Sequence, residues 1–257
     1  MSTSYQIATT EAGLGPAERM RRVGQAAGLW NHGFDLPRSC RQIFHGIDLR
    51  GKSLLEIGCG KGVLCLWAAL HGACEVIGLE PRAQGAFDSS ECHRDFQAMA
   101  NQLDLPQAKI SPLTIQEYEG APNRFDIVLS VASINHLDEK NCIRLRESPL
   151  AIQAYEKLFR RIARMMKPGG RLIVVDAARR NVFGDLGLHN PMTPCVEWLK
   201  HHQPEYWATL LQNCGFGQTN IRWVSGRLLR YMGITALPKF LAYFGQSVFR
   251  LEMRRVR

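Results

Sequence analysis

The chain has little cysteine, no long apolar run and no low-complexity segment. Its eight cysteines are about 3% of 257 residues. Cys40, Cys59, Cys65, Cys74, Cys92, Cys142, Cys195 and Cys214 never fall into a Cys-x-x-Cys pair or a zinc-ligand spacing, which excludes a disulfide scaffold and a zinc module. They read as small apolar residues of a reducing compartment, Cys195 included. No stretch approaches the roughly 18 apolar residues of a membrane span. The opening MSTSYQIATTEAGLG has neither the basic nor the apolar region of a secretory signal, so the cytoplasm is the expected location. Internal repeats are absent, and Pro and Gly punctuate rather than cluster, so one domain over 1–257 is expected.

What is present is an ordinary globular composition, 46% hydrophobic and 21% charged, which excludes disorder. The net charge of +9 is unevenly placed: from Arg222 onward there are eight basic residues and one acidic. A basic domain invites a nucleic-acid or membrane reading. Here the excess belongs to a C-terminus that also carries six aromatics.

Residues 1–50 read as a flexible start followed by amphipathic helices forming a cap, with Pro16, Gly28 and Pro37 as breakers. From Ser53 short apolar runs alternate with helical ones: SLLEI, VLCLWAALH, CEVIGLE, AFDSSECHRDFQAMANQL, FDIVLS, a helical region carrying Tyr155, Leu158, Phe159, Ile162 and Met166, then RLIVVD. A weaker strand is expected near Lys109–Pro112. This alternation predicts an α/β fold, a Rossmann-like, seven-stranded, mostly parallel sheet with helices on both faces. Residues 51–176 form its core. From 177 onward come a long loop to Pro204, a helix from Glu205 to Cys214, the strand TNIRWV and a final strand SVFRLEMRR; the apolar insertion 228–244 separates the last two.

The informative segment is 54–62, Leu-Leu-Glu-Ile-Gly-Cys-Gly-Lys-Gly, between a strand and a helix. Glycines there permit a tight turn and close approach to a ligand. A dinucleotide fingerprint would place its third glycine at 63, which is Val63, and a P-loop would follow Gly60-Lys61 with Ser or Thr rather than Gly62.

Glu56, Gly58, Gly60 and Gly62 instead resemble the first motif of the class I S-adenosylmethionine-dependent methyltransferases. Glu80, 20 residues past Gly60, stands where that family keeps an acid for the ribose hydroxyls; Phe125-Asp126-Ile127-Val128 is similar to its fourth strand, and 166–175 to the turn into its fifth. The resemblance covers 53–176 and implies S-adenosylmethionine as cofactor. It is to be held by Glu56, Gly58, Cys59, Gly60, Gly62, Glu80 and Pro81, by Ile115 and Gln116 at the adenine, and by Ser130. This ligand has an ammonium and no phosphate, which suits a loop with acidic residues. Glu56 would hold the ammonium.

After the fourth strand the family places its reaction floor. Residues 130–137, Ser-Val-Ala-Ser-Ile-Asn-His-Leu, lack the Asn or Asp-Pro-Pro-aromatic signature of base N-methylation and resemble the turn of small-molecule members such as the quinone-biosynthesis methyltransferases. His136 is the catalytic candidate, its imidazole suited to proton transfer near neutral pH. Asn135, His189, Asn190 and Trp198 are candidate acceptor contacts. Glu197, His201 and His202 lack a further spaced ligand, and no metal is expected. The expected function is methyl transfer to oxygen or nitrogen of a small aromatic or lipophilic metabolite. An RNA methyltransferase using the basic tail and a non-catalytic cofactor-binding regulator are the alternatives. The C-terminal insertion reads first as a lid whose arginines snorkel outward, next as a peripheral membrane contact; nucleic acid is the less favoured partner, and a homo-oligomer is left open.

Overall fold

The computed structural model describes residues 13–28, 36–81, 89–193, 196–226, 229–230 and 232–256. Cys195 lies outside them. Two helices, α1 (Pro16–Ala26) and α2 (Leu36–Ile43), precede the alternating segment. That segment runs β1 (Ser53–Ile57), α3 (Val63–Leu70), β2 (Glu75–Leu79), α4 (Ser89–Gln102), β3 (Ala108–Ser111) and β4 (Phe125–Val131). A 3-10 turn (Ile134–His136), α5 (Glu139–Arg144), α6 (Pro149–Met165) and β5 (Met166–Ala177) follow. The rest comprises α7 (Val182–Asp185), a second 3-10 turn (Trp198–Lys200), α8 (Pro204–Gln212), β6 (Phe216–Val224), β7 (Ala236–Leu237), α9 (Lys239–Tyr243) and β8 (Val248–Arg255).

The strands join in one sheet of order β3-β2-β1-β4-β5-β8-β6-β7. β1 to β5 pair in parallel, and β8 runs antiparallel between β5 and β6. Among the described residues the sheet has eight strands where seven were expected. The eighth is β7, a two-residue strand made by the insertion and paired antiparallel with Trp223 and Val224. Nothing in the composition of Ala236-Leu237 marks a strand; the free edge of β6 recruits it.

Alternation along each strand feeds two apolar layers. Leu54, Ile127, Leu129, Ile173 and Val175 meet Met20 and Val23 of α1, Leu36 and Cys40 of α2, and the inner faces of α3 and α4. Leu55, Val128, Leu172, Val174 and Leu251 meet Tyr155 and Phe159 of α6 and Trp207 of α8. Local signals agree with these elements. Pro149 opens α6 at its first turn, where the Ser148 hydroxyl accepts from the Ala151 amide at 3.3 Å.

One buried phenol fixes the segment that floors the carboxyl end of β4. Tyr155, fully buried, donates to the carbonyl of Ile134 at 3.1 Å, with the carbonyls of Asp138 and Asn135 at 3.4 and 3.5 Å. Tyr155→Phe leaves these acceptors without that donor, at a cost of about 1–3 kcal/mol. Thermal unfolding checks it: a midpoint at least about 2 °C lower is expected, and an unchanged one would show that the phenol contributes nothing net.

Candidate functional site

The glycine loop after β1 is built by three left-handed residues with three different reasons. Gly58, Gly60 and Gly62 have φ of 70°, 53° and 71°. A Cβ on Gly58 would stand 2.6 Å from the Cβ of Ser133, and one on Gly62 would stand 2.0 Å from the Phe96 ring. Around Gly60 a Cβ would meet nothing within 4 Å. So packing demands two of the glycines, whereas the middle one faces open space at the carboxyl end of β1, the cradle a closely approaching ligand requires.

Two carboxylates flank that cradle. Glu80 follows β2; its Oε2 accepts from the Gly60 amide at 2.6 Å, while its backbone carbonyl accepts from His93 Nε2 at 2.7 Å. Glu56 is 3% exposed. Burial pushes its carboxyl up to about 8, against the smaller opposing effect of the Cys65 thiol, which donates to Oε2 at 3.0 Å. Among the described residues Glu56 has no cationic partner. Cys59 is buried with its Sγ near the Gly60 carbonyl, and it crowds Gly78 of β2 together with Cys65.

The other expected cofactor residues lie at the ends of β2, β3 and β4. Pro81 directly follows Glu80, half-buried. The Ile115 side chain is in the core. Gln116 is exposed, and its Nε2 donates to the Leu137 carbonyl at 2.5 Å, tying the segment after β3 to the one after β4. Ser130 is buried at the end of β4 and shares a 2.7 Å hydrogen bond with Ser133, whose hydroxyl donates to the Ile57 carbonyl at 2.5 Å. Ser133 and Phe96 escaped the sequence reading; that they press on glycines is a tertiary fact.

On the acceptor side the structure separates the candidates. His136 is half exposed, its Nδ1 2.6 Å from Glu139 Oε1, at the start of α5. His189 is exposed. Asn190 is buried and satisfied, donating to the Gly245 carbonyl at 3.1 Å and accepting from the Met192 amide at 2.9 Å, so it staples the loop to the C-terminal insertion. Trp198 is half-buried, its ring 5.9 Å from that of His201.

Asn135 leads to a group that sequence reasoning missed. Its Nδ2 lies 3.4 Å from Nε2 of His201, whose Nδ1 is 3.2 Å from both the Asp176 carboxylate and the Ala177 carbonyl. These partners assign the tautomer: Nδ1–H donates to the Ala177 carbonyl at the end of β5, with the Asp176 carboxylate beside it, and Nε2 accepts from the Asn135 amide. All three side chains are buried, and Asn135 Oδ1 and Asp176 Oδ2 have no protein partner. Asp176 ends RLIVVD, the one available sequence signal. His202, adjacent, turns elsewhere and donates through Nε2 to the Cys142 carbonyl at 2.8 Å.

Two cavities open on this rim. One of about 430 Å³ is lined by Arg146, Arg179, Arg180, Leu188, Trp198 and Leu199. The other, about 640 Å³, lies under the insertion and is lined by Trp223, Phe240, Tyr243 and Phe244, by the Glu205–Lys239 ion pair, and by Arg180, Gln203 and Ser247.

The fold and the glycine loop define a class I methyltransferase, and the comparisons agree. A family model described as a methyltransferase domain matches residues 30–219, and the chain belongs to that family. S-adenosylmethionine is its cofactor. A ribosomal protein L11 methyltransferase of Haemophilus ducreyi is 35% identical over 77 residues, 30% of this chain and 26% of that protein. The chain therefore spans only about a quarter of that relative's length. Among solved structures, phosphoethanolamine N-methyltransferase 2 of Haemonchus contortus in complex with S-adenosyl-L-methionine superposes with a TM-score of 0.58 at 16% identity, covering 94% of this chain and 57% of that one. The magnesium protoporphyrin IX methyltransferase of Synechocystis PCC 6803 gives 0.51 at 15% identity over 97% and 96%. At these identities the likeness is one of fold.

Proposed function

We propose that the protein transfers a methyl group from S-adenosylmethionine to an oxygen or nitrogen of a small aromatic or lipophilic metabolite. The observation that carries this reading is the 640 Å³ aromatic-lined cavity beside the carboxyl end of β5, a volume and lining suited to a small ring system. The bound sulfonium supplies an activated methyl, so the protein's task is to hold the acceptor in line about 3 Å away. Ile115, Gln116, Glu80 and Glu56 hold the cofactor around the glycine cradle, with Ser130 at the end of β4.

For a hydroxyl acceptor a base adds roughly 10²–10⁴ in rate. His201 is better placed for that work than His136: the Ala177 carbonyl orients its Nδ1–H beside Asp176, its Nε2 meets only a long contact from the Asn135 amide that an acceptor hydroxyl can displace, and burial shields it. His136, exposed and engaged by Glu139, is the other candidate. Small-molecule fractions incubated with methyl-labelled cofactor decide between them. His201→Ala is expected to slow product formation at least about tenfold without changing cofactor affinity, and His136→Ala to slow it less. Equal rates for wild type and His201→Ala would remove His201 from the chemistry. Titration with S-adenosylmethionine tests the cofactor set, with at least a tenfold loss expected for Glu80→Ala.

A further inference from the structure

Part of the C-terminal excess of positive charge is turned inward. Arg250 is 2% exposed and lies directly opposite Arg222 in the β6–β8 ladder. Both line a cavity of about 230 Å³ between α2 and the antiparallel end of the sheet, together with Arg38, Arg41 and His45 from the α2 side and Arg230 from the insertion. No Asp or Glu is among its lining residues. The carboxylate nearest to hand, Glu252, already serves two guanidinium groups, Arg250 at 2.8 Å and Arg171 at 2.9 Å.

Like charges set opposite each other on antiparallel strands destabilise a sheet. Arg250 shows the strain on its own ionisation: burial lowers its pKa, and Arg222 and Arg171 lower it further, against Glu252. The Arg222 guanidinium makes no hydrogen bond or ion pair with the described residues. The walls are nonetheless fixed. Arg250 Nε donates to the Ile43 carbonyl at 2.7 Å, Gln42 Nε2 donates to the Thr235 carbonyl, and Gln42 Oε1 accepts from Arg230 at 2.9 Å. A preformed cluster of guanidinium forks with no Asp or Glu in its lining suits an anion with several oxygens.

We propose that this cavity binds the phosphoryl group of a small molecule. Its volume admits one such group with a short organic stem, whereas a nucleic-acid backbone needs an open track and a lipid surface needs an exposed one. The site stands whether or not the acceptor reading does. It also touches the methyl-transfer machinery through α2: Cys40 on the inner face is close enough to Glu56 for that carboxylate to help raise its thiol pKa, while Arg41 and Gln42 line the cavity.

Calorimetric titration with inorganic pyrophosphate tests the proposal. Wild type is expected to bind, and Arg222→Gln to bind at least tenfold more weakly. Arg160→Gln, a charge removed from the exposed Glu156 pair, is expected to leave binding unchanged. Because Arg222→Gln relieves repulsion, its melting temperature should hold or rise and its S-adenosylmethionine affinity should stay within twofold. No pyrophosphate binding, or equal binding by wild type and Arg222→Gln, overturns the site. So does capture of phosphatidylserine vesicles or an RNA oligonucleotide that Arg222→Gln abolishes and pyrophosphate does not compete. If instead pyrophosphate binds but S-adenosylmethionine does not, the anion site stands and the methyltransferase reading fails. With labelled cofactor, an anionic product that Arg222→Gln no longer forms shows the phosphoryl group to be the acceptor's own; an unchanged product shows a separate ligand in the same site.

Discussion

Gly62→Val is expected to unfold the protein or lower its melting temperature by several degrees, whereas Gly60→Ala is expected to fold and fail to hold its cofactor. At 62 the φ of 71° puts a β-branched residue in a region it rarely adopts, and its Cβ would begin 2.0 Å from a Phe96 ring that is itself fully buried on α4. Backbone strain of about 1–3 kcal/mol and overpacking of about 1–3 kcal/mol act together, against a total stability of about 5–15 kcal/mol. The ring has no free volume into which to retreat, because Phe96 sits among the buried residues of the layer shared by α1, α3 and α4. Gly60 differs in the one respect that matters: a methyl there meets no protein atom within 4 Å. Its strain is about 1–2 kcal/mol, but the methyl occupies the space where the cofactor must approach the backbone, and S-adenosylmethionine affinity should fall at least tenfold. Circular-dichroism melts and calorimetric titration of both variants separate the two effects. A Gly62→Val melt within about 2 °C of wild type, or unaltered cofactor affinity in Gly60→Ala, contradicts this account of the loop.

The second large effect concerns protons. Glu56 in the cofactor-free protein is pushed up to about 8 from an ordinary value of 4.5, chiefly by burial. Between those values the folded chain holds a proton that the unfolded chain releases, so this group makes the cofactor-free protein less stable as pH rises from about 4.5 to 8. An ammonium beside the carboxylate reverses the preference and expels the proton. Cofactor affinity should therefore climb with pH toward about 8 and turn over above it, where the ligand's own α-amino group, at about 7.7–8.0, begins to lose its charge. Calorimetry near pH 6.5 in buffers of different ionisation enthalpy should register close to one proton released on binding by wild type. Glu56→Gln should release none and bind at least tenfold more weakly. Equal proton release by both would mean that Glu56 does not face the ammonium.

The cofactor half of the molecule was legible because its determinants are local. SLLEI, the glycine triplet and VLCLWAALH are consecutive, and a strand, a left-handed turn and a helix each follow from residues within a few positions. Glu80 could be placed by counting, since a strand-helix-strand unit has a nearly fixed length. The acceptor half could not be read this way. Asn135, Asp176 and His201 are separated by 41 and 25 residues, and they meet because β4 and β5 are neighbours and the loop after β5 folds back over their ends. His136, next to Asn135 in sequence, is left outside because neighbouring residues of a 3-10 turn point about 120° apart. The short pairing of Ala236 and Leu237 with β6 likewise has no local signature.

By itself, then, the sequence determined an alternating α/β chain, a glycine loop that departs from the dinucleotide and P-loop spacings and resembles that of the S-adenosylmethionine-dependent methyltransferases, and a basic C-terminus. Tertiary structure alone decided what those parts face. It set Ser133 and Phe96 against Gly58 and Gly62, buried Glu56 without a cation, and brought Arg222 and Arg250 together over α2. The reason is that a backbone conformation responds to its nearest residues, whereas burial, crowding and the field around a charge depend on which strands become neighbours.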